Sequence, residues 1–203
     1  MQTLRSLVVK ADKKIIFSFG RFNPPTIGHA KVLNYILDLA YYSDADHMVV
    51  VSKTFSKKKN PLDIFTKMKY LNLFFPEINF VAATKKSPDF IAHLKNICND
   101  GYNHVTMICG EDRVKEYTRI VNLYNGKDFT FDTIQVKSAG TRSEGGLGVH
   151  GSSATKMREA ALRDDMGTFI DMCPTNQIKL AQALYYEVRH GLGLKTQEFS
   201  FYK

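Results

Sequence analysis

Five short apolar runs, each separated from the next by a stretch of helical spacing, constrain this chain more than any other feature. The runs are Ile15 to Phe19, Met48 to Val51, Ile78 to Ala82, Val105 to Cys109 and Phe129 to Val136. They are rich in β-branched and aromatic residues and too short for buried helices, so they read as strands. Between them, Ala30 to Tyr42, Leu62 to Phe74, Phe90 to Ile97 and Val114 to Leu123 carry apolar residues three and four apart, as in Val32, Leu33, Ile36, Leu37 and Ala40. Pro76 closes the second of these helices. Strands that alternate with helices pair in parallel, because each crossover returns to the same edge of the sheet. The expectation is an α/β fold with a five-stranded parallel sheet flanked by helices.

The rhythm breaks at Ser138 to Gly151, where five of the thirteen glycines fall within fourteen residues and a mobile loop is expected. Beyond it, Ser153 to Arg163 reads as a helix capped by serine, Gly167 to Met172 as a short turn or helix, and Asn176 to His190 as a final helix ended by Gly191. The chain therefore divides into an α/β domain over 1–170 and a C-terminal helical extension over 171–203 packed on it. The aromatic pairs Tyr41 and Tyr42, Phe74 and Phe75, and Tyr185 and Tyr186 fall on helices and are expected in the core.

A chain of 203 residues buries roughly 70% of its unfolded surface, enough for one core without metal or disulfide. Cys98, Cys109 and Cys173 show no CxxC spacing and read as buried thiols in a reducing cytosol. No apolar run is long enough to span a bilayer, and the first residues turn polar before a signal-peptide core forms, so a cytoplasmic protein without membrane partners is expected. The formal charge of +8 is uneven: Lys53 to Lys69 holds six lysines against one acid, Asp63. Such a segment suits a nucleotide polyphosphate, a nucleic-acid groove or a solvated loop.

Ligands of open parallel sheets bind beyond the carboxyl ends of the strands. After the first strand, Gly20 to His29 contains two glycines, two prolines and a histidine and leads into a helix. Glycine lets backbone approach a ligand, proline stiffens the loop, and a helix N-terminus offers N–H groups to an anion. Thr26 and His29, three apart, share one side of the first turn. After the glycine-rich loop, Gly151 to Arg158 supplies hydroxyls at Ser153 and Thr155, and Arg158 one turn on can reach a phosphate.

Together, Thr26-Ile27-Gly28-His29 and Ser153-Ala154-Thr155-Lys156-Met157-Arg158 resemble the two signatures, T/H-x-G-H and S-x-T-x-x-R, of the nucleotidyltransferase superfamily. The resemblance runs from about Lys14 to Phe169. It implies a dinucleotide-binding-like, Rossmann-like fold and transfer of a nucleoside monophosphate from ATP or CTP to an acceptor phosphate, releasing pyrophosphate. It also implies roles: His29, Thr26 and Arg158 catalytic; Gly20, Arg21, Phe22, Gly28, Gly110, Asp112, Ser153 and Thr155 at the nucleotide and its phosphates; Mg²⁺ bound mainly through those phosphates rather than by a protein metal site.

Further segments are similar to NMN adenylyltransferases: Gly20-Arg21-Phe22 at the first loop, Asn60-Pro61-Leu62 with Lys67 where that family has arginine, and Gly110-Glu111-Asp112 after the fourth strand. Lys53, Asn60, Lys67 and Arg113 are candidate contacts to substrate or phosphate. His150 beside the second motif is a weaker candidate. The resemblance implies small-molecule nucleotide substrates, with NMN and ATP giving NAD, and leaves phosphopantetheine or a CTP-dependent reaction as alternatives. From a different class, the chain is a nucleic-acid-binding module reusing the fold, with Lys53 to Lys69 as its backbone-tracking patch; intact phosphate motifs count against that. Assembly into a homo-oligomer is compatible with the aromatic tail.

Overall fold

The computed structural model describes residues 12–140 and 154–194. Its strands are β1 (Lys14–Gly20), β2 (Asp46–Val51), β3 (Phe80–Ala82), β4 (His104–Cys109) and β5 (Thr133–Ser138). Its helices are α1 (Ile27–Ser43), α2 (Ile64–Phe74), α3 (Phe90–Asn99), α4 (Glu111–Tyr124), α5 (Ala154–Leu162), α6 (Met166–Asp171) and α7 (Ile178–Gly191). All neighbouring strands pair in parallel, in the order β3-β2-β1-β4-β5. This is the α/β Rossmann-like architecture expected above.

Both faces of the sheet are covered, which is why its strands read as continuous apolar runs. Successive side chains alternate between faces. Ile15 and Phe17 of β1 join Val105 and Met107 of β4 in a core with Leu94 and Ile97 of α3 and Val121 of α4. Ile16, between them, faces the other way into a core with Leu33 and Ile36 of α1, Val49 and Val51 of β2, and Leu71 of α2. A third cluster joins Met157, Ala160 and Ala161 of α5, Phe169 of α6 and Leu184, Tyr185 and Val188 of α7 to Leu62 and to Tyr70 of α2. The end of α7 comes so close to Pro61 that a Cβ on Gly191 would lie 2.1 Å from the Pro61 carbonyl oxygen. Only glycine fits there without moving backbone.

Three expectations shift. The fifth strand begins at Thr133, not Phe129. Phe129 and Phe131 are buried and stack at 5.2 Å, giving a period of two. The Phe131 N–H, however, donates to Asn125 Oδ1 at 3.0 Å in a turn through Gly126 (φ +83°) instead of to a neighbouring strand. Ile78 likewise lies before β3, its N–H bonded to the Phe75 carbonyl at 3.1 Å. Tyr41 and Tyr42 are not core residues: they are 83% and 84% exposed and stack edge to face on each other. The buried stripe of α1 is Leu33, Ile36 and Ala40, and positions one and two beyond Ala40 turn outward. Tyr185 is buried, and Phe74 and Phe75 pack partly buried against the cores.

Cys109 and Cys173 are buried free thiols and Cys98 is half-buried. Burial pushes the Cys173 thiol up to about 12. Among the described residues no helix is long and apolar enough to cross a membrane.

The Tyr70 hydroxyl is fully buried and has no hydrogen-bond partner among the described residues, and burial pushes its pKa above the usual phenol range. An unpaired buried hydroxyl costs about 1–3 kcal/mol. Tyr70→Phe keeps the ring and removes that cost, so the variant is expected to unfold about 2–4 °C higher than the wild type for each kcal/mol recovered. Thermal melting followed by circular dichroism checks it.

Candidate active site at the carboxyl edge

The chain runs outward from β1 through β2 to β3, then crosses to β4 on the other side of β1. Loops leaving β1 and β4 therefore diverge, and the crevice between them at the carboxyl ends is the switch point where ligands of such sheets bind. The Ser18 hydroxyl donates to the Ile108 carbonyl at 2.8 Å across this β1–β4 seam, inside the protein.

The loop after β1 is built around Phe22, which adopts φ +47°. Its ring folds back over Gly20, where a Cβ would stand 2.5 Å from the ring edge. Gly20 is thus required by the loop's own packing. Phe22 is buried and lies with its ring centroid 4.9 Å from that of His29. It holds the histidine in place rather than presenting a face to solvent.

Thr26 is the N-cap of α1 and is itself buried. Its hydroxyl accepts the His29 N–H at 3.3 Å, while the Thr26 N–H donates to His29 Nδ1 at 3.0 Å. A backbone N–H can only donate, so Nδ1 is the ring's acceptor and the neutral imidazole carries its proton on Nε2. The capping box therefore fixes both the rotamer and the tautomer of His29. Gly28 lies in the first turn of the same helix. The Ile27 N–H donates to the Met172 carbonyl at 3.0 Å, tying this helix start to the end of α6.

Asn23, which the sequence reading passed over, is the junction of the site. It is 2% exposed. Its amide donates to the Leu62 carbonyl at 2.9 Å and accepts the Leu62 N–H at 3.0 Å. Its own carbonyl accepts Arg158 Nη1 at 2.8 Å, from 135 residues away. Arg158 Nη2 donates to the Thr155 hydroxyl at 2.9 Å. The loop that leads into the first motif, Arg158 of the second and the Asn60-Pro61-Leu62 segment thus meet at one residue. Asparagine between phenylalanine and proline looks like ordinary loop chemistry, and only its pairing with Leu62 reveals the role.

Arg158 is half-buried, and burial followed by the neighbouring Arg21 charge lowers its pKa. Two guanidiniums thus share the β1 side of the crevice. Arg21 is exposed. On the β4 side, Gly110 is the N-cap of α4, so Glu111, Asp112 and Arg113 form the first helical turn. A Cβ on Gly110 would lie 2.7 Å from Asp112 Oδ1. Arg113 is engaged by Glu116 at 3.0 Å and more loosely by Asp112 at 3.6 Å. Cys109, just below, has its thiol pushed up to about 11 by burial and then by Asp112 and Glu111.

The remaining candidates separate. Lys53 is exposed. Asn60 is buried and closes a tight loop by paired backbone bonds with Ser56, both 2.9 Å. Lys67 is fully buried and its ammonium is turned onto the carbonyls of Ser52 and Thr54. In this way it fastens the loop after β2. Ser153 and His150 lie outside the described residues. Two surface hollows, of about 530 and 270 Å³, lie elsewhere, and neither is lined by a site candidate.

No family model and no curated protein sequence matches this chain. Among solved structures, Thermotoga maritima TmcAL in an apo crystal form matches with a TM-score of 0.52 at 10% identity, over 86% of this chain and 57% of that one. A second form, bound with alpha-thio ATP, gives 0.49 at 11% identity, over 86% and 56%. The likeness is one of fold, and this chain spans little more than half the length of those proteins.

Two predictions follow from this geometry. Asn23→Ala strands the Leu62 N–H and carbonyl in a buried place, and is expected to cost about 2–3 kcal/mol in chemical denaturation. Burial lowers the Lys67 pKa from 10.5 to about 8. Between those values the unfolded chain holds the proton that the folded chain has released, so stability rises with pH there. Relative to Lys67→Met, the wild type is expected to gain about 2 kcal/mol on going from pH 8 to 10, measured by the same method.

Proposed function

We propose that this chain is a nucleotidyltransferase that moves AMP from ATP to a phosphate-bearing acceptor, with NMN the first acceptor to test and NAD and pyrophosphate the products. The observation that carries this reading is the 2.8 Å bond from Arg158 to the Asn23 carbonyl, which ties the second motif's arginine to the loop leading into the first. The crevice then has a proton-bearing imidazole nitrogen at the start of α1, two guanidiniums and two glycine-bearing loops.

In the reaction an acceptor phosphate oxygen attacks the α-phosphorus of ATP, and the bond from that phosphorus to the bridging oxygen of pyrophosphate breaks. Negative charge moves onto the leaving group. His29 Nε2–H donates to phosphate oxygens there, and Arg158, with Arg21 beside it, holds the β- and γ-phosphates. Gly20 and Gly110 let backbone approach the nucleotide. No covalent enzyme intermediate is needed, so rate comes from positioning and charge stabilisation. A Mg²⁺ would be carried mainly by the nucleotide's own phosphates, as the resemblance to the nucleotidyltransferase superfamily implies. That ion would neutralise charge on the polyphosphate.

The test is incubation of the protein with Mg²⁺, ATP and NMN, with phosphopantetheine and CTP as alternative substrates and products resolved by chromatography. NAD and pyrophosphate are expected. His29→Ala is expected to lower kcat by about 10²- to 10³-fold with the fold intact, and Arg158→Ala chiefly to raise KM for ATP. Turnover of another pair replaces the acceptor and keeps the mechanism. Full activity in both variants overturns the site.

A further inference from the structure

Because every strand is parallel, the loops that follow β1, β2 and β3 leave the sheet side by side, on strands about 5 Å apart. Backbone bonds lace them together: the Ser52 N–H donates to the Gly20 carbonyl at 2.8 Å and the Ala83 N–H to the Val51 carbonyl at 2.9 Å. Their exposed cations are Arg21 after β1, Lys53 and Lys57 to Lys59 after β2, and Lys85 and Lys86 after β3. The acids on the same loops are two, Asp63 and Asp89, which serve as N-caps, accepting the Thr66 N–H at 2.8 Å and the Ala92 N–H at 3.0 Å, and leave the cations in excess. At the opposite edge of the sheet the balance inverts, with Asp12, Asp44, Asp46, Glu77 and Asp100 against Lys13 and Lys14. Along β1, β2 and β3 the charge is therefore polarised, whereas after β4 Glu111 and Asp112 stand beside Arg113; the positive rim over the first three loops is broader than one triphosphate needs.

Among the lysines of the β2 loop stands Phe55, 57% exposed. The loop is stiff rather than slack: Ser56 and Asn60 close it by reciprocal bonds, and Lys67 fastens its start from below. Cations spaced along a rim with an exposed ring among them are the combination that tracks a sugar-phosphate backbone and stacks an unpaired base. We infer that this rim, from Arg21 across Phe55 to Lys86, binds a single-stranded nucleic acid. The inference goes beyond nucleotidyl transfer and does not depend on it, because binding is measured without ATP or turnover.

The probe is a fluorescein-labelled oligouridylate about twelve nucleotides long, titrated with the full chain and followed by anisotropy. Engagement of about five phosphates predicts a plot of log K against log salt with a slope near −3.5 between about 50 and 200 mM. Lys57→Glu/Lys58→Glu/Lys59→Glu is expected to flatten that slope and weaken binding at least tenfold, and Phe55→Ala to weaken it about tenfold with the slope kept. His29→Ala is expected to bind as the wild type does, which separates this surface from the transfer site. Lys115→Glu/Lys127→Glu/Lys179→Glu makes the same change in net charge away from the rim. Equal weakening by that control, no binding at the lower salt, displacement by tripolyphosphate at equal phosphate concentration, or a duplex bound as tightly as the single strand would overturn the inference. Circular dichroism melts confirm that each variant is folded.

Discussion

Asn23 makes three hydrogen bonds, and the organisation of the site depends on them. Two fix the loop after β1 to Leu62, ahead of α2, and the third holds the guanidinium of Arg158 from α5. Each partner comes from a different part of the chain, so the site forms only once the sheet, α2 and the C-terminal helices have come together. The same packing brings the end of α7 against Pro61, one residue from Leu62. The C-terminal helices are in this sense part of the wall behind the crevice, through a cluster shared with Leu62 and Tyr70.

His29 shows how little chemistry a loop needs when its geometry is fixed. Phe22 backs the ring, Gly20 makes room for Phe22, and Thr26 takes up Nδ1, so three local residues leave the imidazole one orientation and one tautomer. Holding a ring this way costs strain at a single left-handed residue, Phe22, of order 1–3 kcal/mol. The buried core around the loop offsets it.

Much of this was legible in the chain. Apolar period and interruption located all five strands and six of the seven helices, the sixth reading equally as a turn, because strands covered on both faces, such as β1, β2 and β4, stand out as apolar runs. The errors came where local pattern and tertiary partner disagree. Phe129 and Phe131 alternate like a strand, yet an asparagine side chain takes the backbone bond; Tyr41 and Tyr42 look like core but sit just past the buried stripe of α1. At the site, Thr26, His29 and Arg158 were visible from motif chemistry, since capping and phosphate binding demand particular side chains at fixed offsets. Asn23 was not, because its partners lie 39 and 135 residues away. The burial of Lys67 was hidden for the same reason: a lysine near other lysines reads as exposed until the fold puts backbone carbonyls around it.

Arg158 carries a further thermodynamic implication. It is partly withdrawn from water, close to a second guanidinium, and bonded among the described residues only to a neutral carbonyl and a hydroxyl. Partial withdrawal of that charge from water costs free energy that the nearby Glu159 offsets only in part, since the pKa stays lowered. An anion that settles beside it removes part of that cost, so occupancy and folding are linked equilibria in this protein. Any anion bound there would stabilise the fold, by an amount that its concentration sets.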